Sequence, residues 1–124
     1  MPIALWVAQG LGAAFFVMHG VIFQNPERAR AQLPYARVLG DGTLKAIGAL
    51  EILGGVGLIV PALTGILPWL TSFAGVGLAV IMILAIPFHI VRHEWPNIGL
   101  NFVLGTIAAF VAYGRFVIEP VGAR

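Results

Sequence analysis

Four stretches of this chain, Ile3–Phe23, Leu44–Val60, Ile66–Ile90 and Asn97–Ile118, are apolar and long, and they constrain its fold more than any other feature. A helix that crosses a bilayer needs about 20 mainly apolar residues. Together the four segments hold only Lys45, Glu51 and Arg115 as formally charged side chains. Lipid offers the backbone no hydrogen-bond partner, so such segments must satisfy their own N–H and C=O groups as helices. The balance of the chain agrees, with 60% hydrophobic and 10% charged residues, where soluble domains carry about 25% charge. The expected fold is all-α, an antiparallel four-transmembrane-helix bundle in one integral membrane domain spanning residues 1–124.

Several function classes drop out early. There is no cysteine, which removes disulfides, thiolate metal sites and thiol redox chemistry. A net charge of +2 is no footprint for nucleic acid. Nucleophilic triads lack support, because Ser72 is the only serine and belongs to the outer half of its span. No Gly-rich phosphate loop occurs. The first segment has no Lys or Arg ahead of its apolar run and no small-residue cleavage site after it, so it is expected to be a span, not a signal peptide.

The prolines and loops suggest the borders. Pro61 is expected to stop the second span, leaving residues 61–65 as a tight uncharged turn, and Pro68 falls in the first turn of the third. Pro87 lies inside the third span and predicts a kink near His89. Residues 24–43 form a long polar loop whose PERARAQL stretch can make one or two helical turns at the interface. Arg28, Arg30, Arg37, Lys45 and Arg92 fall on one side of the membrane, Arg115 and Arg124 on the other. The positive-inside rule then puts both termini outside the cytoplasm. Trp6, Trp69 and Tyr113 would mark the outer interface, Tyr35 and Trp95 the inner one.

Ionisable groups within spans are costly, about 2.5–3.5 kcal/mol at mid-bilayer, and are functional candidates by default. Here they are His19, Glu51, His89 and Arg115, joined by Asn101. At about 1.5 Å per residue, His19 and Asn101 lie about 6 Å from the inner helix ends, Glu51 about 10 Å and His89 about 2 Å. Each span thus sends one polar group to the same leaflet, with Arg115 alone at the outer end. Stripes at helical spacing support inward-facing positions: Gln9, Gly12, Phe16, His19 and Phe23; Gly75, Leu78, Met82, Ala85 and His89; Asn101, Gly105, Ala108, Ala112 and Arg115. Small residues four apart, such as Ala8/Gly12, Gly75/Ala79 and Gly105/Ala109, with Gly48 and Gly55 flanking Glu51, let helices approach closely.

A ligand site is therefore expected from His19, Glu51, His89 and Asn101, walled by Phe15, Phe16, Met82 and Phe88. Plainer roles compete with it. His19 and His89 can simply bridge helices, with His89 near enough to the interface to face headgroups. Asn101 can be a helix–helix donor, and Arg92 and Arg115 can snorkel to phosphates. Glu51 resists such a reading best, because a buried carboxyl must be either protonated or paired. As a pair, His19 and Glu51 suit general acid–base work on an apolar substrate if they come within hydrogen-bond reach. Two histidines and a glutamate suit a metal in kind, but no local H-x-x-x-H motif supports one, and no metal is assigned.

The segments FVMHG at 16–20, IGALEILGGVGLIVP at 47–61, PFHIVRHE at 87–94 and AAFVAYGR at 108–115 resemble the DoxX and DoxX-like family of small four-helix membrane proteins. The family takes its name from subunits of a thiosulfate:quinone oxidoreductase of the prokaryotic membrane. The resemblance implies a multi-pass prokaryotic inner-membrane protein and marks His19, Gly20, Glu51 and Arg115 as family-pattern positions. It departs at Phe23, where members often have a lysine, so any such role is lost or passes to Lys45. Three readings stand at this point. The first is binding of a quinone or another lipid-like amphiphile in an inner-leaflet pocket, within a membrane redox system. The second is a membrane enzyme using Glu51 and His19 as acid and base in an isomerase- or hydrolase-type reaction. The third is a non-catalytic subunit that assembles with a redox partner or with itself. The bilayer is a partner in all three, and no cofactor motif other than the implied quinone is evident.

Overall fold

The computed structural model describes residues 2–118. The chain forms α1 (Pro2–Phe23), α2 (Pro26–Gln32), a 3-10 turn (Pro34–Val38), α3 (Asp41–Thr64), α4 (Leu70–Val91) and α5 (Trp95–Tyr113), then a π-helical turn (Gly114–Ile118). Helices α1, α3, α4 and α5 with its π-helical extension are long and apolar enough to cross a membrane. Arg124, counted above for orientation, lies outside the described residues.

The four long helices pack antiparallel in the ring order α1, α3, α4, α5. Glycines show why they sit so close. A Cβ on Gly20 would lie 2.5 Å from the Gly48 carbonyl oxygen, and one on Gly48 would lie 2.6 Å from that of Gly20. A Cβ on Gly75 would come within 2.8 Å of the Ala108 oxygen. Only glycine permits these backbone approaches, and in lipid such close packing drives helix association. The interior is filled by Phe16, Leu58, Leu78, Met82, Leu104, Ala108 and Val111. Large apolar side chains such as Leu53, Ile83 and Phe102 point outward, where hydrocarbon and not water surrounds them.

Several borders differ from those expected. Pro61 does not end its helix. Proline's fixed φ is itself helical, so α3 continues to Thr64 and stops at Gly65, whose φ of 75° puts it in the left-handed region. The turn consequently falls after Gly65 instead of at 61–65. Helix α4 starts at Leu70, not Ile66, leaving Pro68 in the turn, where its carbonyl accepts from the Thr71 N–H at 3.2 Å. At the other ends, α3 starts at Asp41, ahead of Leu44, and α5 at Trp95, with Pro96 in its first turn. Helix α4 runs without interruption through Pro87.

The polar loop is a folded cap. Asn25 caps α2, its side chain accepting from the Arg28 N–H at 3.2 Å. Ala29 and Ala36 are fully buried against Phe23 and Leu44. Arg30 ties the cap down by donating to the Leu39 carbonyl at 2.8 Å and pairing with Asp41 at 2.6 Å. The cap covers the end of the bundle where α1 ends and α3 begins.

Candidate functional site

Beneath this cap lies a cavity of about 410 Å³, walled mostly by apolar side chains. The Gly20–Gly48 approach determines its chemistry. It presses α1 against α3 one residue from His19 and one turn from Glu51, so the two polar side chains meet. His19 Nδ1 lies 3.1 and 3.0 Å from the two carboxyl oxygens of Glu51. Glu51 is 1% exposed and His19 15%.

On the other edge of the imidazole, Nε2 lies 2.7 Å from the Tyr35 hydroxyl, which comes from the 3-10 turn of the cap. With Glu51 ionised, one tautomer satisfies both contacts: Nδ1–H donates to the carboxylate and Nε2 accepts from the phenol. A Tyr35–His19–Glu51 chain of this kind fixes the imidazole and can carry a proton between the cap and the buried carboxyl, the logic of a triad whose base is oriented by a third group. Burial keeps the Tyr35 phenol protonated well above its ordinary range, reinforced by the nearby negative charges of Glu51 and Glu94. Aromatic rings hold the imidazole in place: Phe15 is stacked at 5.6 Å and Phe23 tilted at 4.4 Å between centroids.

A second polar group comes from α4 and the turn that follows it. His89 donates from Nδ1 to Glu94 Oε1 at 2.9 Å, and Arg92 Nε donates to the same oxygen at 3.1 Å. Burial alone would raise the Glu94 carboxyl, but these two donors outweigh it and hold the group below the ordinary carboxylate range. The His89 ring meets Tyr35 edge-on at 5.1 Å, joining the two polar groups across the cavity.

Of the residues singled out from sequence, Phe15, His19, Glu51, Met82, Phe88, His89 and Asn101 line the cavity. Phe16 does not. It is fully buried in the bundle interior, because the residue next to a cavity-facing Phe15 is turned by about 100° on a helix. His89 is 5% exposed, turned into the bundle toward Tyr35 instead of outward to headgroups. Asn101 makes no side-chain hydrogen bond among the described residues, so it does not bridge helices there, and its buried Nδ2 is without a partner. Lys45 is exposed and outside the cavity. Among the described residues no three of His, Asp or Glu come together as a metal set.

Arg115 departs furthest from expectation. It is 4% exposed, not snorkelling. Its Nε donates to Gln9 Oε1 at 2.8 Å, Gln9 Nε2 donates to the Leu58 carbonyl, and its guanidinium sits 4.9 Å from the Trp6 ring centroid. This buried network ties α1, α3 and the π-helical turn together at the end of the bundle remote from the cavity.

Sequence reasoning missed Tyr35, assigning it to the interface. It lies in the PYARV turn, outside any helical periodicity, and no spacing rule could aim it inward. The nearest signal was its position between Pro34 and the buried Ala36, a loop segment with apolar anchors.

These features define a small multi-pass membrane protein with a polar relay enclosed at one end of a four-helix bundle. The description of the family model that matches residues 7–111 is the DoxX-like family, and the chain belongs to it. No curated protein and no solved structure matches the chain.

Proposed function

We propose that this DoxX-like membrane protein binds an amphipathic small molecule, a quinone or another lipid-like compound, in the cavity beneath the cap. The observation that carries this reading is the Tyr35–His19–Glu51 chain set into an otherwise apolar cavity of about 410 Å³. Such a combination of apolar walls and a few convergent polar groups is the usual composition of a small-molecule site. In this reading Tyr35, held in place by His19 and Glu51, and Asn101 meet the polar end of the ligand, and Phe15, Met82 and Phe88 are walls. The cavity belongs to the cytoplasmic leaflet of a prokaryotic inner membrane, with both termini outside.

The test is mass spectrometry of the molecules that co-purify in mild detergent, run beside Glu51→Gln and His19→Ala. The expected result is a stoichiometric non-bulk lipid or quinone, depleted in both variants. Bulk phospholipid alone in every sample would overturn the reading in favour of a subunit role. Topology is checked separately: the chain has no cysteine, so Arg37→Cys gives a single thiol that a membrane-impermeant reagent should reach only from the cytoplasmic side.

The hydrogen-bonded relay also favours a second reading, acid–base catalysis on a lipophilic substrate by Glu51 and His19. It expects Glu51→Gln to abolish turnover while the substrate still binds, which separates it from simple binding.

A further inference from the structure

We infer that the ligand of this cavity is an uncharged amphiphile that enters sideways from the bilayer between α3 and α4, its oxygen-bearing head under Tyr35 and its tail along Leu50 and Leu84. This rests on the ligand-binding reading above and adds the entry route, the orientation and the charge of the occupant.

The entry route follows from how α3 and α4 separate. Near the turn that joins them they are tightly packed: a Cβ on Gly57 would lie 2.8 Å from that of Ala74, and one on Gly54 would lie 2.6 Å from the Leu78 side chain. Leu50 and Ile47 continue the same stripe of α3 toward the cap, four and seven residues before Gly54. Yet Leu50 is 56% exposed while lining the cavity, and Leu84 of α4 does the same at 69%. The two helices therefore part below Gly54, and the gap is edged with leucine. Leu100 of α5 also lines the cavity while exposed, but at 45%, below both leucines of this gap, and the seams flanking the gap are packed more tightly. Helices α1 and α3 are locked by Gly20 and Gly48, and α4 and α5 meet where a Cβ on Gly105 would lie 3.3 Å from that of Met82. The cap, with Ala29 and Ala36 fully buried, covers the end of the bundle. A molecule reaching the relay through the leucine gap travels from hydrocarbon to hydrocarbon.

The charge follows from the lining. Among the described residues it contains no Lys or Arg, and its one acidic residue is Glu51. An anionic headgroup would meet that carboxyl with no Lys or Arg to offset it, the two lining histidines already facing Glu51 and Glu94, and burying an uncompensated charge is strongly unfavourable. A cation gains little, because both Glu51 oxygens already face His19. A hydroxyl head can donate to the free lone pair of the Tyr35 oxygen, and a hydroxyl or carbonyl head can accept from the unpartnered Asn101 Nδ2 in the lining.

The experiment uses the protein in nanodiscs with two photoreactive probes of equal chain length, a diazirine alkanol and the matching alkanoic acid. Leu50→Cys and Leu84→Cys are combined, which is clean because the chain has no cysteine, and the pair is bridged with a reducible bis-maleimide. The expected outcome is saturable labelling of cavity residues by the alkanol, exceeding the acid by more than about tenfold. Bridging should slow labelling by at least about tenfold and reduction should restore it, which also shows that the variant is folded. Labelling as fast with the bridge as without overturns lateral entry while leaving binding intact. Equal labelling by the acid overturns the uncharged head. No saturable labelling in the unbridged protein removes the binding reading itself.

Discussion

Replacing Gly48 with alanine should open the site without touching any of its polar groups. A Cβ there would lie 2.6 Å from the Gly20 oxygen and 2.7 Å from both Phe23 Cβ and Gln24 Nε2, where ordinary contact begins at 3.4 Å. The first of these is backbone, so α1 and α3 must part by about 0.8 Å. The His19–Glu51 contact, now 3.0 Å, would widen to about 3.8 Å, beyond hydrogen-bonding range. Overpacking costs about 1–3 kcal/mol, and loss of the hydrogen bond adds about 1 kcal/mol. Alanine's better helix propensity returns at most about 1 kcal/mol. The net expectation is a loss of about 1–3 kcal/mol together with loss of ligand retention. The assay is unfolding in detergent followed by circular dichroism, beside Gly77→Ala, since a Cβ on Gly77 would meet nothing within 4 Å. If Gly48→Ala matches Gly77→Ala in stability and retains ligand, the claim that this glycine contact assembles the relay is refuted.

Other expectations follow from the same geometry. Tyr35→Phe should keep the fold but weaken ligand retention about five- to tenfold, the worth of one hydrogen bond of about 1 kcal/mol; unchanged retention in the co-purification assay would remove Tyr35 from the site. The buried phenol holds its proton where an unfolded chain loses it, so stability should fall as pH rises above 10.0, and Tyr35→Phe should remove that part of the alkaline loss. Glu94 has the opposite sign: its lowered carboxyl contributes stability that is present above 4.5 and lost as pH falls through its folded value. Glu94→Gln should flatten that acid limb in a pH-resolved melt, and an unchanged limb would show that the His89 and Arg92 contacts do not matter. Gln9→Leu removes the acceptor of Arg115 Nε and the donor to the Leu58 carbonyl, so it should destabilise the remote end by about 1–3 kcal/mol and leave ligand retention at the wild-type level; loss of ligand there would link two ends that the structure keeps apart.

The solvent and the helical repeat were legible in the chain before any packing was known. Scarcity of charge and four long apolar runs leave the backbone no choice but helix, and a period of about 3.6 residues puts His19, Glu51, His89 and Asn101 on inward faces at similar depth. Those are local properties, read one segment at a time. The borders at Pro61 and Pro68 were less legible, because proline's φ suits a helix and the stop depended on Gly65, beyond the helix end that Pro61 suggested.

Which polar groups touch is a matter of packing across the bundle. Arg115 looks like a headgroup anchor until Gln9, 106 residues away, is seen to accept from it. Phe15 and Phe16 are equivalent in type, and helix rotation alone sends one to the cavity and the other to the interior. Tyr35 is the clearest case. Its loop has no periodicity to aim it, and it becomes part of the relay because Ala29 and Ala36 seat the cap on Phe23 and Leu44 while Gly20 and Gly48 bring His19 to Glu51. Contacts between residues distant in sequence depend on helix rotation and separation, which are set by all four helices together and not by any one segment.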